Sequence, residues 1–401
     1  MPPFDPERSR RRFPGLATDW ALLDNAGGSQ ILDAAADRVR EAYATSHVQP
    51  GGTYAASRLA TERTEQATRA WAAYFNAGDP RELVFGASTT QLLQNLSRAM
   101  EASIRPDDEI VVCEADHESN VGAWLRLESR GARIKWWRVR RDDLELSLDG
   151  LSALLTKRTR LVTFGHVSNL LGHVNPAAEA VRLAHAAGAQ VVVDGVAYAP
   201  HRKVDVQAIG ADYYVASLYK IYGPHQAILW GRLDRLEQLS GINHYFIPPD
   251  KLPHKLAPGG LNFELVHGSG AVPDYLASLG PGGLDDVATH EAALAERLLA
   301  FLRGRKGIRI LGRTQGAVDR LPTISFAVEG RDASEIPPHL DAHCIGLKAG
   351  DFYARRLVEA AGLANRGGVI RASMLHYNTS HEVDRLCNAL DRVLDPATPQ
   401  K

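Results

Sequence analysis

Ionisable and polar side chains stand at the ends of several apolar segments of this chain. Lys220 lies between two tyrosines, just after the run ADYYVAS at 211–217. Asp194 ends the segment QVVVD, His117 ends DEIVVCEADH, and Asn169 ends TRLVTFGHVSN. A buried ammonium group is costly unless a partner or a covalent reaction removes its charge. Lys220 is therefore a candidate for chemistry, accompanied by a carboxylate, an imidazole and an amide.

A second segment predicts a site for an anion. The stretch ELVFGASTTQLLQNL, at 82–96, is typical of a strand, a small-residue turn and a helix. Ser88, Thr89 and Thr90 fall at the start of that helix. Free backbone N–H groups and hydroxyls at a helix N-terminus are well suited to phosphate.

The combination indicates pyridoxal phosphate as the cofactor. In such a site Lys220 forms a Schiff base with the cofactor aldehyde, which removes the cost of a buried ammonium. Asp194 pairs with the pyridine nitrogen and strengthens the electron sink. A flat side chain such as His117 stacks on the ring, and Asn169 can hydrogen-bond the ring hydroxyl.

Each of these residues alone also has a structural interpretation. Asp194 and residues 88–90 can cap helices, His117 can be a hydrogen-bonded structural histidine, and Lys220 can extend its ammonium to the surface. The conjunction favours the functional interpretation, because independent strand ends would otherwise have to imitate one site by chance.

The candidate residues need one scaffold edge that brings them together. The segments 108–117, 159–169, 190–195, 211–217 and 227–232 predict strands, and helical segments separate several of them. This alternation predicts an α/β fold with a mostly parallel sheet and right-handed crossovers. In open sheets of this kind ligands bind at the carboxyl ends of the strands, where the polar residues lie here.

The pattern changes after residue 245. A segment rich in Pro and Gly, HYFIPPDKLPHKLAPGGLNFE at 244–264, predicts a long irregular loop. Helical patterns at 285–304 and 380–394 follow, with short strands between them. We therefore expect a large α/β domain at 21–245 and a smaller α+β domain formed by 1–20 plus 246–401.

Composition argues against several classes of partner. The 401 residues carry 46 Lys and Arg against 47 Asp and Glu, so the net charge gives no reason to expect nucleic acid or an anionic membrane. No apolar run reaches the roughly 18 residues of a membrane helix, and the N-terminus lacks the apolar region of a secretory signal. The three cysteines are far apart, without metal-type pairing. We expect a soluble, cytoplasmic protein without a metal site.

Several segments resemble the class V aminotransferase family of fold type I pyridoxal-phosphate enzymes, in the right order along nearly the whole chain. They are most similar to the cysteine desulfurase and selenocysteine lyase branch. The resemblance rests on LLDNAGGSQ, DHESNVGAW, TRLVTFGHVSNLLGHVNP, VVVDGVAYAPHRKVDVQAIGADYYVAS, YKIYGP and IRASMLHYNTSHEVDRL. It implies a mostly parallel, seven-stranded-type sheet in the large domain and a homodimer with shared active sites.

For the cofactor, the resemblance implies roles residue by residue. Lys220 matches the Schiff-base lysine, Asp194 the partner of the pyridine nitrogen, and His117 the ring-stacking residue. The implied phosphate ligands are Thr89, Thr90 and Ser217, beside Ser88.

For the substrate, the resemblance implies two contacts. Arg371, in IRAS, matches the arginine that binds the substrate α-carboxylate, and its bidentate fork suits that task. Asn169 matches a contact to cofactor or substrate.

The resemblance fails at the catalytic cysteine of the desulfurases. The corresponding stretch, LKAGDFYARRL at 347–357, contains no cysteine, and Tyr353 stands in its place. Cys344 lies upstream in an apolar context that predicts a core residue, and Cys113 and Cys387 also lie on predicted core faces. Without a positioned thiolate, no side chain accepts sulfur as a persulfide.

Other family positions also differ. Tyr219 replaces the histidine before the lysine, Ala197 replaces a glutamine that contacts the cofactor ring, and Asp351 replaces a histidine. The stretch PGGLNFE at 258–264 matches a loop that donates to the phosphate of the neighbouring subunit, and Gly260 replaces its threonine. Tyr219, Gly260 and Asn262 remain predicted cofactor contacts, with only backbone N–H available at Gly260.

These departures resemble a cysteine desulfurase-like subgroup of specialised metabolism, including lincosamide antibiotic biosynthesis, that processes S-substituted cysteine units. We expect β-elimination, a C–S lyase reaction, with the catalytic residues Lys220, His117, Asp194 and Arg371. Decarboxylation, oxidative deamination or transamination at the same carbon is an alternative, and so is a non-catalytic binding protein on this fold. Predicted substrate contacts are Asn169, Arg371, Tyr353 and Tyr54, and further pocket-wall candidates are Arg58, His244, Tyr245 and Phe246.

Overall fold

Strands and helices alternate through the first part of the chain, as the sequence predicts. A computed structural model describes residues 4–394. The strands are β1 (Ala21–Leu22), β2 (Leu83–Gly86), β3 (Glu109–Cys113), β4 (Arg133–Trp137), β5 (Thr159–Gly165), β6 (Gln190–Asp194), β7 (Tyr213–Ser217), β8 (Ala227–Gly231), β9 (Ile308–Ile310), β10 (Thr323–Val328), β11 (Ile345–Gly346), β12 (Lys348–Gly350) and β13 (Val369–Ser373).

The helices include two long ones, α3 and α12. They are α1 (Pro6–Arg10), α2 (Asp33–Thr45), α3 (Ala55–Phe75), α4 (Thr89–Met100), α5 (Ser119–Leu125), α6 (Leu148–Leu154), α7 (Ala177–Ala186), α8 (Val206–Ile209), α9 (Leu233–Gln238), α10 (Phe263–Ser269), α11 (Ala271–Ala277), α12 (Gly283–Arg303), α13 (Ile336–Asp341), α14 (Arg355–Ala360) and α15 (Ser380–Leu394). Short 3₁₀ helices occupy Pro14–Leu16, Pro80–Glu82, Glu101–Ser103, Arg126–Arg130, Leu218–Lys220, His254–Leu256 and Ala333–Glu335.

The large sheet has seven strands in the order β2-β8-β7-β6-β5-β3-β4. The pairs β3–β4, β3–β5, β5–β6 and β6–β7 are parallel, whereas β8 runs antiparallel to both of its neighbours. The predicted mostly parallel α/β sheet is therefore confirmed, and the five predicted strands correspond to β3, β5, β6, β7 and β8.

Both faces of this sheet are covered, which explains the continuous apolar runs in its strands. On β6, Val191 and Val193 contribute to one core cluster and Val192 to another, and all three are fully buried. Since successive side chains point to opposite faces, a strand buried on both sides must be apolar throughout. Polar residues are then confined to the strand ends.

The C-terminal part of the chain forms a second, antiparallel sheet in the order β12-β13-β10-β9. The helices predicted at 285–304 and 380–394 are confirmed as α12 and α15. β1 pairs with β11, and α10 contacts α2 and α3, so these contacts join the two proposed domains. The division into 21–245 and 1–20 plus 246–401 stays a prediction. Among residues 4–394, no helix is long and apolar enough to cross a membrane.

Two predicted strands extend too far in the sequence-based interpretation. β3 ends at Cys113 and β5 ends at Gly165, so His117 and Asn169 lie on the connections that follow and do not end the strands. At this point a side chain replaces the backbone pairing between β3 and β5. The Asp116 carboxylate accepts the backbone N–H of Gly165 at 2.8 Å.

The core assignment of Cys344 is also wrong. This residue is only half-buried, has a left-handed backbone (φ 52°) and precedes the two-residue strand β11. Because β11 has only two residues, the residue before it, Cys344, is not buried in the core. Cys113 is fully buried, as predicted, and Cys387 is half-buried against the core of the C-terminal part.

A buried ion cluster joins the region after β6 to the C-terminal part. Glu291 on α12 is fully buried and accepts from His201 Nδ1 and Arg202 Nη1, both at 2.9 Å. Arg202 Nη2 also donates to the carbonyl of Val318 at 2.9 Å. Removing one member leaves the others buried without compensation.

We predict that Glu291→Ala lowers the free energy of unfolding by about 3–5 kcal/mol, because it leaves buried cationic donors unpaired. Urea denaturation measures the loss. The matched control is Asp37→Ala, which removes an exposed ion pair with Arg40 and should change the same quantity by less than about 1 kcal/mol. Equal losses in both variants would contradict the structural role of the buried cluster.

Candidate active site

A cavity opens where β3, β5, β6 and β7 end. Among its lining residues are nine that the sequence predicts as site residues: Ser88, Thr89, Thr90, His117, Asn169, Asp194, Ser217, Tyr219 and Lys220. Ala197, which occupies the position of the family glutamine, also lines it. The prediction that these strand ends meet at one edge is confirmed.

Lys220 ends the 3₁₀ turn Leu218–Lys220 that follows β7 directly. The pKa of its ammonium is lowered to about 8, because burial and the charge of Arg371 lower it more than Asp194 and Asp24 raise it. Its Nζ lies 5.8 Å from the centre of the Tyr219 ring. A lysine with this pKa is partly neutral near pH 8 and can act as a nucleophile or a base.

Asp194 is the last residue of β6 and is 8% exposed. Its Oδ1 accepts the backbone N–H of Val196 at 2.9 Å. Burial raises the pKa of the carboxyl to about 6, although the Val196 N–H and the charge of Lys220 lower it. A carboxylate in this environment gains from a cationic partner, such as a protonated ring nitrogen.

The His117 imidazole is held neutral. Burial lowers its pKa to about 4, and the positive charges of Lys220 and Arg371 act in the same direction. Nδ1 accepts the backbone N–H of Ser119 at 3.1 Å, which places the ring proton on Nε2. A neutral, flat ring at the wall of the cavity is suited to stacking on an aromatic ligand.

Hydroxyl groups cluster at the start of α4. Ser88 is its N-cap and accepts the N–H of Gln91 at 3.1 Å. Thr89 Oγ1 and Ser217 Oγ are 2.7 Å apart. The phenol of Tyr219 also interacts with Ser217, although burial raises its pKa overall. Together with the free N–H groups of this helix end, they form a neutral-donor cradle for a phosphate group.

Arg371, on β13, is 3% exposed and only partly satisfied. Its Nη2 donates to Asp24 Oδ1 at 2.7 Å and its Nη1 to the carbonyl of Asn169 at 3.3 Å. Its Nε is buried without a partner, and so is Oδ1 of Asn169. A donor and an acceptor therefore remain available to a ligand.

Arg371 and four other predicted residues are not among the residues that line this cavity. Tyr353 is 72% exposed, with its ring centre 5.1 Å from that of His117. Tyr54 is 53% exposed and precedes α3, away from the cavity lining. Gly260 and Asn262 line a separate cavity, where the Asn262 carbonyl accepts from Gln226 Nε2 at 3.0 Å. Their roles in the site stay predictions.

Two carboxylates of the site were missed by sequence reasoning. Asp116 is 7% exposed in the cavity lining, and burial together with the charge of Asp194 raises its pKa to about 7. Asp24 pairs with Arg371 and lies 3.5 Å from Lys348 Nζ. Asp116 stands beside His117 in the sequence, which was the available signal, whereas nothing local distinguishes Asp24.

These residues fit pyridoxal phosphate. The hydroxyl cradle suits the phosphate, the Asp194 carboxyl suits the pyridine nitrogen, and Lys220 suits the aldehyde. The unpartnered Oδ1 of Asn169 and Nε of Arg371 are a buried acceptor and a buried donor of the kind that a bound polar ligand satisfies.

Comparison with known proteins decides the family. The sequence profile of the aminotransferase class-V family matches residues 21–386. The chain belongs to this family. The aminotransferase-like protein FGM3 of Gibberella zeae is 38% identical over 98% of this chain and 99% of its own length. The cysteine desulfurase-like protein ustD of Aspergillus flavus is 32% identical over 98% of this chain and 91% of its own.

A solved structure agrees with the fold. The cysteine desulfurase CsdA from Escherichia coli superposes with a TM-score of 0.88 at 28% sequence identity, over 98% of this chain and 99% of that one. The present protein is therefore a pyridoxal-phosphate-dependent enzyme of fold type I, as predicted. None of its three cysteines, all within the described residues, lines the cavity.

We predict that cofactor uptake by the apoenzyme depends on pH through Lys220. The neutral amine of Lys220 attacks the aldehyde. Because the pKa of this amine is lowered, the uptake rate should rise with pH and reach half its maximum at about pH 8 instead of 10.5. Stopped-flow absorbance measures the rate. Lys220→Ala should bind cofactor without this pH dependence. A midpoint that stays near the ordinary lysine value would contradict the desolvated Lys220.

We also predict that Thr89→Ala and Ser217→Ala each weaken cofactor affinity about tenfold or more, since a hydrogen bond to a charged phosphate is lost. Equilibrium dialysis of the apoenzyme measures the affinity. Thr289→Ala is the control, because its hydroxyl donates to the Asp285 carbonyl within α12. Unchanged affinity in both site variants would remove the phosphate role from this hydroxyl pair.

Proposed function

We propose that the enzyme is a C–S lyase that carries out β-elimination on an S-substituted L-cysteine. The observation that supports this is a cavity that combines Lys220 and Asp194, with Arg371 nearby, and contains no cysteine. The first three groups suffice to form a carbanion at the α-carbon of an amino acid. A sulfur-accepting thiolate, which persulfide formation requires, is not among the lining residues.

Arg371 and Lys220 have separate tasks in this proposal. Arg371 binds the substrate carboxylate through donors that Asp24 does not occupy, which fixes the orientation of the α-carbon. The amine of Lys220, whose pKa is near 8, removes the α-proton. The cofactor supplies the electron sink for the resulting carbanion.

The proposed reaction balances with water as the only co-reactant. The α-C–H and β-C–S bonds break, and the sulfur leaves as a thiol that takes up a proton. Hydrolysis of the remaining three-carbon unit gives pyruvate and ammonia. No oxidant, reductant or persulfide carrier is needed.

A second candidate is transamination, oxidative deamination or decarboxylation at the same α-carbon. It is favoured by the relative of highest identity reported above, which is named an aminotransferase-like protein. The same residues make the carbanion in each case, and the substrate orientation set by Arg371 decides which bond reacts. A role in specialised metabolism such as antibiotic biosynthesis, and a cytoplasmic location, are parts of the proposal that rest on resemblance.

A homodimer with shared active sites is a further part of the proposal. Tyr54, Gly260 and Asn262 do not line the cavity within one chain. Tyr54 is exposed, and so are Tyr245 and Phe246 on the irregular segment before α10. Residues of this kind are available to complete the site of a neighbouring subunit.

We predict that the holoenzyme converts S-methyl-L-cysteine to pyruvate, ammonia and methanethiol. A lactate dehydrogenase-coupled assay measures pyruvate, and a thiol reagent measures methanethiol. Lys220→Ala should lose the activity, whereas Lys157→Ala, at an exposed position, should keep it. Release of carbon dioxide or an aldehyde without pyruvate from this and other S-alkyl cysteines would favour the second candidate.

A further inference from the structure

The loop 351–354, between β12 and α14, holds two consecutive aromatic residues in an unusual conformation. Phe352 and Tyr353 both have left-handed backbones, with φ of 50° and 60°. Bulky residues adopt this conformation at a cost in free energy, so the surrounding structure must hold them in it.

Hydrogen bonds fix this loop on three sides. The amide Nδ2 of Asn169 donates to the Phe352 carbonyl at 2.9 Å, and the backbone N–H of Glu118 donates to the Tyr353 carbonyl at 2.7 Å. The carboxylate of Asp351 accepts the N–H of Tyr353 at 3.0 Å. Two of the donors, Glu118 and Asn169, belong to the connections that follow β3 and β5.

The conformation places the Phe352 ring against Arg371. The guanidinium carbon lies 3.8 Å from the ring centre. A cation at this distance from an aromatic ring is attracted by it, most strongly where water is excluded. Because Asp24 holds Nη2 and the ring lies against the guanidinium, the orientation of this group is fixed.

Two donors of the guanidinium are left to a ligand. Nε is buried without a partner, and Nη1 makes only a long contact of 3.3 Å with the Asn169 carbonyl. The Nε–H lies on the side of Nη2, so the two free donors are on different edges of the group, and each can donate separately to a carboxylate oxygen. Phe352 thus acts on the ligand through Arg371.

We propose that Phe352 is a positioning residue that holds Arg371 so that its free N–H donors meet the substrate carboxylate, and so makes the site selective for α-amino acids over the corresponding amines. The inference rests on the proposed function in taking Arg371 as the carboxylate-binding group. It does not depend on which bond of the substrate breaks.

The test compares two ligands that differ by the carboxylate and cannot undergo C–S elimination, L-alanine and ethylamine. Their dissociation constants for the holoenzyme are measured from changes in cofactor absorbance. Phe352→Leu should weaken L-alanine binding about three- to tenfold and leave ethylamine binding unchanged, since the loss of one cation–π contact affects only the carboxylate-binding group. Phe352→Tyr, which keeps the ring, should retain the discrimination.

Two further variants separate positioning from packing. Phe352→Met fills much of the same volume without a ring, and should lose discrimination as Phe352→Leu does. Phe301→Leu is the matched control, because its ring lies 4.6 Å from the Arg305 guanidinium on the C-terminal part of the chain. It should leave both dissociation constants unchanged.

The proposal is overturned if Phe352→Leu and Phe352→Met weaken both ligands equally, which would show a packing role, or weaken neither. Failure of this proposal can be distinguished experimentally from failure of the C–S lyase proposal. Absence of pyruvate from S-alkyl cysteines with intact discrimination for L-alanine would reject the lyase reaction and leave the role of Phe352 standing.

Discussion

Burial of charge at the carboxyl edge of the large sheet is the constraint on which this site depends. Burial is the largest cause of the pKa shifts of Lys220, Asp194 and His117, and it opposes the charged form of each. The lysine is thereby brought toward neutrality near physiological pH, and the imidazole is neutral. The same burial makes the Asp194 carboxylate a strong partner for a cation. The reactive character of the site is therefore a consequence of its position in the fold.

The sheet provides this position because its strands are apolar on both faces. In the parallel pairing, Gly165 on β5 is beside Asp194 on β6, and Asp194 is beside Val215 on β7. Register is fixed by burial of both faces, since a shift of one residue would exchange the two core clusters. Packing of the apolar strands therefore brings the ends of three strands, and the residues that follow them, together. No contact between distant polar groups is needed for this.

This explains which parts of the site the sequence could predict. Lys220, Asp194 and residues 88–90 follow from local patterns, because a strand end or a helix start places them at the edge. Arg371 followed only from family resemblance, since β13 belongs to the second sheet. The pairing of Asp24 with Arg371 was not predictable, because it joins segments 347 residues apart. The contact of Phe352 with Arg371 was not predictable either, because it depends on the left-handed conformation of the loop. The overlong strands ending at His117 and Asn169 failed for a related reason: Asp116 bonds to Gly165 across two strand ends.

The loop at 351–354 is where the proposed departure from desulfurase chemistry has its structural basis. A catalytic thiolate must approach the sulfur of the substrate, so its loop has to present a small nucleophile to the reacting atoms. Here Tyr353 stands at that position with its carbonyl fixed by Glu118, and its neighbour Phe352 covers Arg371. The Tyr353 ring lies beside His117 but outside the cavity lining, and its phenol is not the thiolate that a sulfur carrier requires. The proposed carbanion chemistry rests on Lys220, Asp194 and Arg371, and no cysteine of the described residues lines the cavity. In the proposed C–S lyase reaction, the sulfur therefore leaves with its own substituent, as a thiol.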